Sequence, residues 1–266
     1  MSTGNLLLIN LAAVMACMTL LWIVSIPLRN VSIVDIFWGP GFAVVALLTL
    51  ALVGDGEPRQ WLLAGLTAAW GLRLGLFLAV RNIGHGEDPR YASIRERVEG
   101  RGINFTIGSL LIVFVLQGVL MWIVSLPVQV GQYQAPGTTL GLLAVLGVAL
   151  WLVGFGFEAI GDWQLRRFKA DPANRGQVMD RGLWRYTRHP NYFGNACLWW
   201  GLWLIAAEAG AWWTVIAPAL MTFLLLRVSG VSLLEKSLST SKPGYADYVR
   251  RTSAFIPMPP KSPRSE

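Results

Sequence analysis

Seven runs of about twenty apolar residues set the limits on this chain: roughly 5–27, 32–53, 61–80, 105–125, 139–160, 191–209 and 211–231. A helix of that length crosses the hydrocarbon core of a bilayer. Each run must be helical, because lipid offers no partner to a free backbone N–H or C=O. The expected fold is all-α: a polytopic bundle of about seven transmembrane helices, forming a single integral membrane domain over 1–266. Composition agrees. The chain is 54% hydrophobic and 14% charged, where a soluble domain carries about 25% charged residues, and its mean hydropathy is +0.51. So many long uncharged runs argue against a large soluble helical core. No Lys or Arg precedes the first run, so it lacks the charged start of a signal peptide and reads as a retained helix. Cys17 and Cys197 both fall inside runs and read as small apolar residues, neither disulfide nor metal pair. No metal is expected.

The net charge of +7 is unevenly placed. Arginines and lysines crowd 81–104, 161–190 and the tail after 231, whereas 126–138 has none and the loop 54–60 has only Arg59. With seven spans the basic segments share one side, which puts the N-terminus outside and the C-terminus in the cytosol. Orientation and contact with membrane lipids account for the 81–104 set, and no nucleic-acid partner is expected. An amphipathic piece is expected around "RYASIRERVEG". The segment 232–255 carries the anchors Tyr245, Tyr248 and Phe255, and is expected to fold back over the cytosolic mouth. The Pro-rich end is expected to fray over 258–266.

Ionisable residues inside spans are costly and mark functional sites. Asp35 near the start of the second span and Arg73 in the third sit at comparable depth. They form either a structural pair or a pocket lining in which Arg73 faces an anionic ligand, and the two are compatible. Glu158, Asp162 and Arg166 recur every four residues at the cytosolic end of span five, on one helix face. They read as the polar wall of a cavity, with Lys169 counted in the same set. Arg227 ends the last run and Glu235 follows two turns later. "GFG" at 154–156 lies within a hydrophobic span, so it serves helix packing rather than dinucleotide binding.

The stretch "RGLWRYTRHPNYFGN" is basic and aromatic, and it opens directly into an apolar run. Pro190 suits the first position of a helix. The free N–H groups of that helix would face the cytosolic mouth as an anion site. Arg181, Arg185, Arg188 and His189 add charge and donors for phosphate. Asn191 and Asn195 are four apart and can face the bundle together. Trp184, Tyr186 and Tyr192 offer surfaces for stacking a ring. The group reads as a cytosol-facing pocket for a cofactor bearing phosphate or carboxylate.

"GLWRYTRHPNYFGN", followed by "KPGYADYVRRTSAFIP", resembles the C-terminal signature of the steroid 5α-reductase-like membrane proteins. The likeness is to a bacterial branch of unestablished function, and more distantly to isoprenylcysteine carboxyl methyltransferases. It covers roughly 155–257 well, and implies a bacterial inner-membrane protein holding NADPH among the cytosolic helix ends. Cofactor contacts implied by the family motif fall on Arg73, Asp162, Arg166, Asn191 and Arg227. Steroid reductases place a Glu in span two and a Tyr in span three to polarise the substrate carbonyl; here those positions hold Asp35 and Trp70. Trp cannot donate a proton from oxygen, so Asp35 and Tyr192 become the expected catalytic groups, with Asp35 and Trp70 at the substrate.

Three functions compete. The first is an NADPH-dependent reductase passing a hydride to an activated C=C bond of a lipid or steroid-like substrate. The second is an S-adenosylmethionine-dependent methyltransferase of a lipid or lipidated group. Those enzymes carry paired glutamates before the last G-x-x-Y element, and this chain has only Glu235 there, which weakens that reading. The third is a scaffold or channel. No polar stripe crosses the bilayer, which argues against a channel.

Overall fold

The computed structural model describes residues 1–134, 139–228 and 244–261. Glu235, expected at the cofactor, lies outside them. Among the described residues the regular structure is helical, with a lone bridge between Thr187 and Ser253 in place of strands. Six helical stretches are long and apolar enough to cross a membrane. The chain divides into two compact units, Met1–Gly141 with Ile205–Thr214, and Leu142–Leu204 with Val215–Glu266.

The first unit begins with α1 (Thr3–Leu28), α2 (Ile33–Val53) and α3 (Pro58–Asn82). The Ser2 hydroxyl caps α1 by accepting from the Asn5 N–H at 3.2 Å. α1 ends at Arg29 in the left-handed region, whose N–H reaches the Ile26 and Ser25 carbonyls. α2 and α3 meet backbone to backbone: a methyl added at Gly39 or at Gly71 would lie 2.3 Å from the other's carbonyl oxygen. Small residues allow that approach, and in lipid such close packing holds helices together. The amphipathic piece forms as α4 (Pro89–Glu99). Asp88 caps it by accepting from the Arg90 N–H, and Pro89 takes the position where its missing N–H costs nothing. α5 (Phe105–Ser109) runs through a π-helical turn, Leu110–Val115, into α6 (Leu116–Val124), and α7 (Leu126–Tyr133) follows.

Arg59 departs from its place as a lone outer-loop cation. It is 4% exposed; its Nη1 lies 3.0 Å from both Glu208 Oε2 and the Ile205 carbonyl, and its Nη2 donates to the Thr139 carbonyl at 3.1 Å. Glu208 also accepts from the Gly141 N–H. A guanidinium taken out of water needs a carboxylate and carbonyls around it, and this one has both.

The second unit holds α8 (Leu142–Ala170), α9 (Pro190–Ala206), α10 (Ile216–Phe223) and α11 (Tyr245–Arg251). The runs at 191–209 and 211–231 correspond to one continuous stretch, Pro190–Val228. That stretch reverses. The Trp200 Nε1–H donates to Thr222 Oγ1 at 3.2 Å, although a straight helix would hold those residues about 33 Å apart. Gly210, with φ of 93°, stands at the expected boundary, in a left-handed conformation that glycine adopts without strain.

The 232–255 segment does fold back where it is described. The Tyr248 hydroxyl donates to the Trp184 carbonyl, and Thr187 Oγ1 donates to the Phe255 carbonyl at 2.8 Å. The stretch expected to fray from 258 is bonded at both ends of its described part. The Met258 N–H reaches the Tyr186 carbonyl and the Lys261 N–H the Arg251 carbonyl, each at 2.9 Å, so backbone bonds hold this part of the tail.

Candidate functional site

The polar residues of the second unit are brought together by a glycine-lined seam. α8 and α9 run antiparallel. A methyl at Gly201 would meet the Gly147 carbonyl oxygen at 2.5 Å, and one at Gly194 would meet that of Gly154 at 2.4 Å. Both glycine pairs are seven residues apart, two helical turns, so a single face of each helix is committed to the contact. The same register continues toward the start of α9 with polar pairs. Asn195 Nδ2 donates to Glu158 Oε2 at 3.1 Å, and Asn191 Nδ2 donates to Asp162 Oδ1 at 3.2 Å. Next to Asp162 in α8, Gly161 admits the Pro190 ring, and its carbonyl accepts from the Trp184 indole N–H at 3.0 Å.

Glu158, Asp162 and Asn195 are each more than nine-tenths buried. In such surroundings a carboxylate has to be hydrogen-bonded, and the asparagine amides do this. The carbonyl oxygen of the Asn195 amide has no donor, although it too is buried. An orphaned acceptor beside a carboxylate fits a ligand group that brings N–H donors, such as the carboxamide of a nicotinamide ring.

The other expected residues scatter around this core. His189 is buried and stacks on Tyr192, with ring centroids 5.4 Å apart and planes within 3°. Tyr192 itself is half-buried. Arg188 is not presented to solvent as an open phosphate donor. It is 8% exposed, and its Nη1 donates to the Thr252 and Val249 carbonyls at the end of α11. A helix C-terminus leaves carbonyls without intrahelical partners, and a buried cation satisfies them. Arg166 and Lys169 are exposed near the end of α8, and Arg227 is exposed in the turn Leu224–Val228. Arg185 is also exposed and faces a cleft with Arg181 rather than the α8–α9 seam.

The first unit has its own polar cluster, at the start of α2. The expected Asp35–Arg73 pair does not form. Asp35 Oδ2 accepts from Arg90 Nη2 at 2.7 Å, and Oδ1 from the Tyr91 hydroxyl at 2.6 Å. Gln117 Nε2 in turn donates to the Tyr91 oxygen at 3.0 Å. The loop before α4 holds Tyr91 there. The Asn30 amide donates to the Gly86 carbonyl, the Val31 N–H to Glu87 and the Asp88 N–H to the Ser32 hydroxyl. Burial, then the charge of Asp35 and their hydrogen bond, push the Tyr91 phenol well above its usual range, so it stays protonated. Arg73 is half-buried, with its guanidinium 6.0 Å from the Phe77 ring centre. Trp70 is fully buried and packs on Phe42 with ring centroids 5.5 Å apart, so it contributes core volume rather than an open substrate surface.

The contact of Tyr91 with Asp35 was not expected, because Tyr91 lies in α4, outside the spans. The available signal was "DPRY": an N-cap, a helix start, and an aromatic three residues on that must turn inward. Among the described residues no group of three or more His, Cys, Asp or Glu side chains is placed to hold a metal ion.

Comparison with known proteins gives a family without a described activity. The chain is 24% identical to an uncharacterised protein of Schizosaccharomyces pombe, over 89% of this chain and 75% of the yeast protein. No solved structure matches it. Residues 21–252, which take in both the Asp35 cluster and the α8–α9 seam, match the model described as protein of unknown function DUF1295, and the chain belongs to that family.

Proposed function

We propose that this chain is a multi-pass membrane reductase that uses NADPH to saturate an activated C=C bond of a lipid or steroid-like substrate, with its basic loops and C-terminus in the cytosol. The observation that carries this reading is the buried asparagine–carboxylate pairing of α8 and α9, with its orphaned Asn195 acceptor. It falls within the segment that resembles the reductases, and two of its four residues, Asp162 and Asn191, are ones for which that resemblance implies cofactor contacts. Glu158 and Asn195 would accept from the carboxamide, Asp162 and Asn191 would hold polar groups beside it, and the flat His189–Tyr192 stack would offer a surface to a ring. NADPH, when bound, supplies the hydride; the protein supplies orientation and a water-poor setting.

Saturating a double bond also takes a proton. Tyr192, in the same unit as the α8–α9 pairs and stacked on His189, is the hydroxyl proposed to give it.

The test is a titration of purified protein in nanodiscs with NADPH, followed by nicotinamide fluorescence and thermal shift. NADPH is expected to bind, and Asn195→Ala and Asp162→Asn to weaken it by roughly tenfold or more, the cost of one or two buried hydrogen bonds. Binding of S-adenosylmethionine with no response to NADPH would reject the reductase.

A further inference from the structure

The second unit carries a basic cleft that none of the paired residues Glu158, Asp162, Asn191 and Asn195 lines. Its volume is about 540 Å³, and its walls include Asp180, Arg181, Arg185, Arg251 and Lys261. Four cationic side chains against one carboxylate leave an excess of three positive charges, as 4 − 1 = 3. Asp180 is already taken by Arg251, at 2.6 Å, so Arg181, Arg185 and Lys261 are the cations that this carboxylate does not neutralise.

The cleft is built from three separate pieces of chain that the fold clamps together. The turn Gly182–Arg185 carries Arg185, with Arg181 at its N-cap. Arg251 ends α11. Lys261 sits on the returning tail. The Arg188 N–H donates to the Ser253 carbonyl at 2.8 Å, the Met258 N–H to Tyr186 and the Lys261 N–H to Arg251. Backbone bonds therefore fix the points at which these side chains leave the chain. The C-terminal carbonyls of α11 would ordinarily make this end negative. Here Arg188 covers those of Val249 and Thr252, and the Lys261 N–H covers that of Arg251. The local field is left to the side chains.

We infer that this cleft binds a phosphate monoester, with Arg181 and Arg185 as forked donors and Lys261 as a point charge. Guanidinium groups match the oxygens of a phosphate two at a time, and a doubly charged phosphate gains most from a cluster of fixed cations. The phosphate can come from a lipid headgroup, since basic pockets beside membrane helices recruit anionic lipids, or from a soluble ester. The inference does not depend on hydride chemistry.

The experiment uses the full chain in phosphatidylcholine nanodiscs, with and without phosphatidate, and with inorganic phosphate in solution. Thermal shift reports both probes, and native mass spectrometry reports retained lipid. Stabilisation by either probe is expected, falling as salt rises. Arg185→Gln and Lys261→Gln should each weaken it roughly tenfold, the low end for a charge-assisted bond at an exposed site. Asp180→Asn should strengthen it, because it removes the one competing carboxylate; this variant keeps the test decisive should a cation-removing variant misfold. Retention of phosphatidate with no response to inorganic phosphate assigns the headgroup, and the reverse assigns a soluble ester. No response to either probe, or variants that bind like the wild type, would overturn the site.

Discussion

Gly194→Ala tests the seam on which the α8–α9 polar pairs depend. The new methyl would sit 2.4 Å from the Gly154 carbonyl oxygen and 2.5 Å from the Glu158 N–H nitrogen, both backbone atoms that no rotamer change can move. Ordinary contact begins at 3.4 Å, so the helices must part by about 1 Å, as 3.4 − 2.4 = 1.0. Forcing a methyl into a packed contact costs about 1–3 kcal/mol. The neighbouring bonds suffer as well. Asn195–Glu158 at 3.1 Å and Asn191–Asp162 at 3.2 Å would stretch to roughly 4 Å, beyond hydrogen-bond range. Each lost bond to a buried carboxylate adds about 1.5–3 kcal/mol. Against this stands a gain of at most about 1 kcal/mol from the better helix propensity of alanine. The net loss is about 3 kcal/mol or more. The assay is thermal unfolding in detergent, followed by circular dichroism, with a drop on the order of 5–10 °C expected. The control is Gly156→Ala, two residues along the same helix as Gly154, where an added methyl meets nothing within 4 Å. It should be neutral or slightly stabilising. Equal effects of the two substitutions would refute the seam and the pairing built on it.

Further outcomes are specific. Tyr192→Phe keeps the ring that stacks on His189 but removes its hydroxyl, and should lower single-turnover reduction by roughly a hundredfold while NADPH affinity stays unchanged, because general acid catalysis contributes on that scale. Arg59→Leu removes the guanidinium from the largely buried Glu208 carboxylate and should cost about 3–5 kcal/mol in detergent unfolding, whereas Arg59→Leu with Glu208→Leu should recover most of it. Asp88 titrates below the usual carboxylate range: burial opposes its charge, but the Arg90 hydrogen bonds and the Arg90 and Arg81 charges outweigh it. Its contribution to the α4 cap is therefore complete above the unfolded value, about 3.9, and is lost as pH falls through the lower folded value. Hydrogen exchange of α4 amides against pH should show that loss, and Asp88→Asn should abolish its pH dependence.

Local signals carried the helices and one of the polar clusters. Twenty-residue apolar runs admit little but helix in lipid, and Pro190 after a basic stretch marks a helix start. The i,i+4 spacing of Glu158 with Asp162 and of Asn191 with Asn195 places each pair on one face before any partner is known. What stayed hidden depends on chain segments far apart in sequence. Arg59 looked like a loop cation, because its partner Glu208 lies beside the reversal at Gly210, in a run with no period to expose it. Tyr91 reaches Asp35 across 56 residues only because the loop at 86–88 is bonded to Asn30, Val31 and Ser32. Arg188 carries the composition of a phosphate ligand but is buried against α11, a contact that local pattern does not encode.

Hydride transfer itself is the most direct measurement. Membranes containing the protein, and membranes containing Asn195→Ala, are incubated with NADPH deuterated at the nicotinamide C4, in parallel with methyl-labelled S-adenosylmethionine. The extracted lipids are then read by mass spectrometry. The account predicts deuterium on a carbon of a saturated lipid product, dependent on Asn195. Methyl label in the lipids with no deuterium would contradict it.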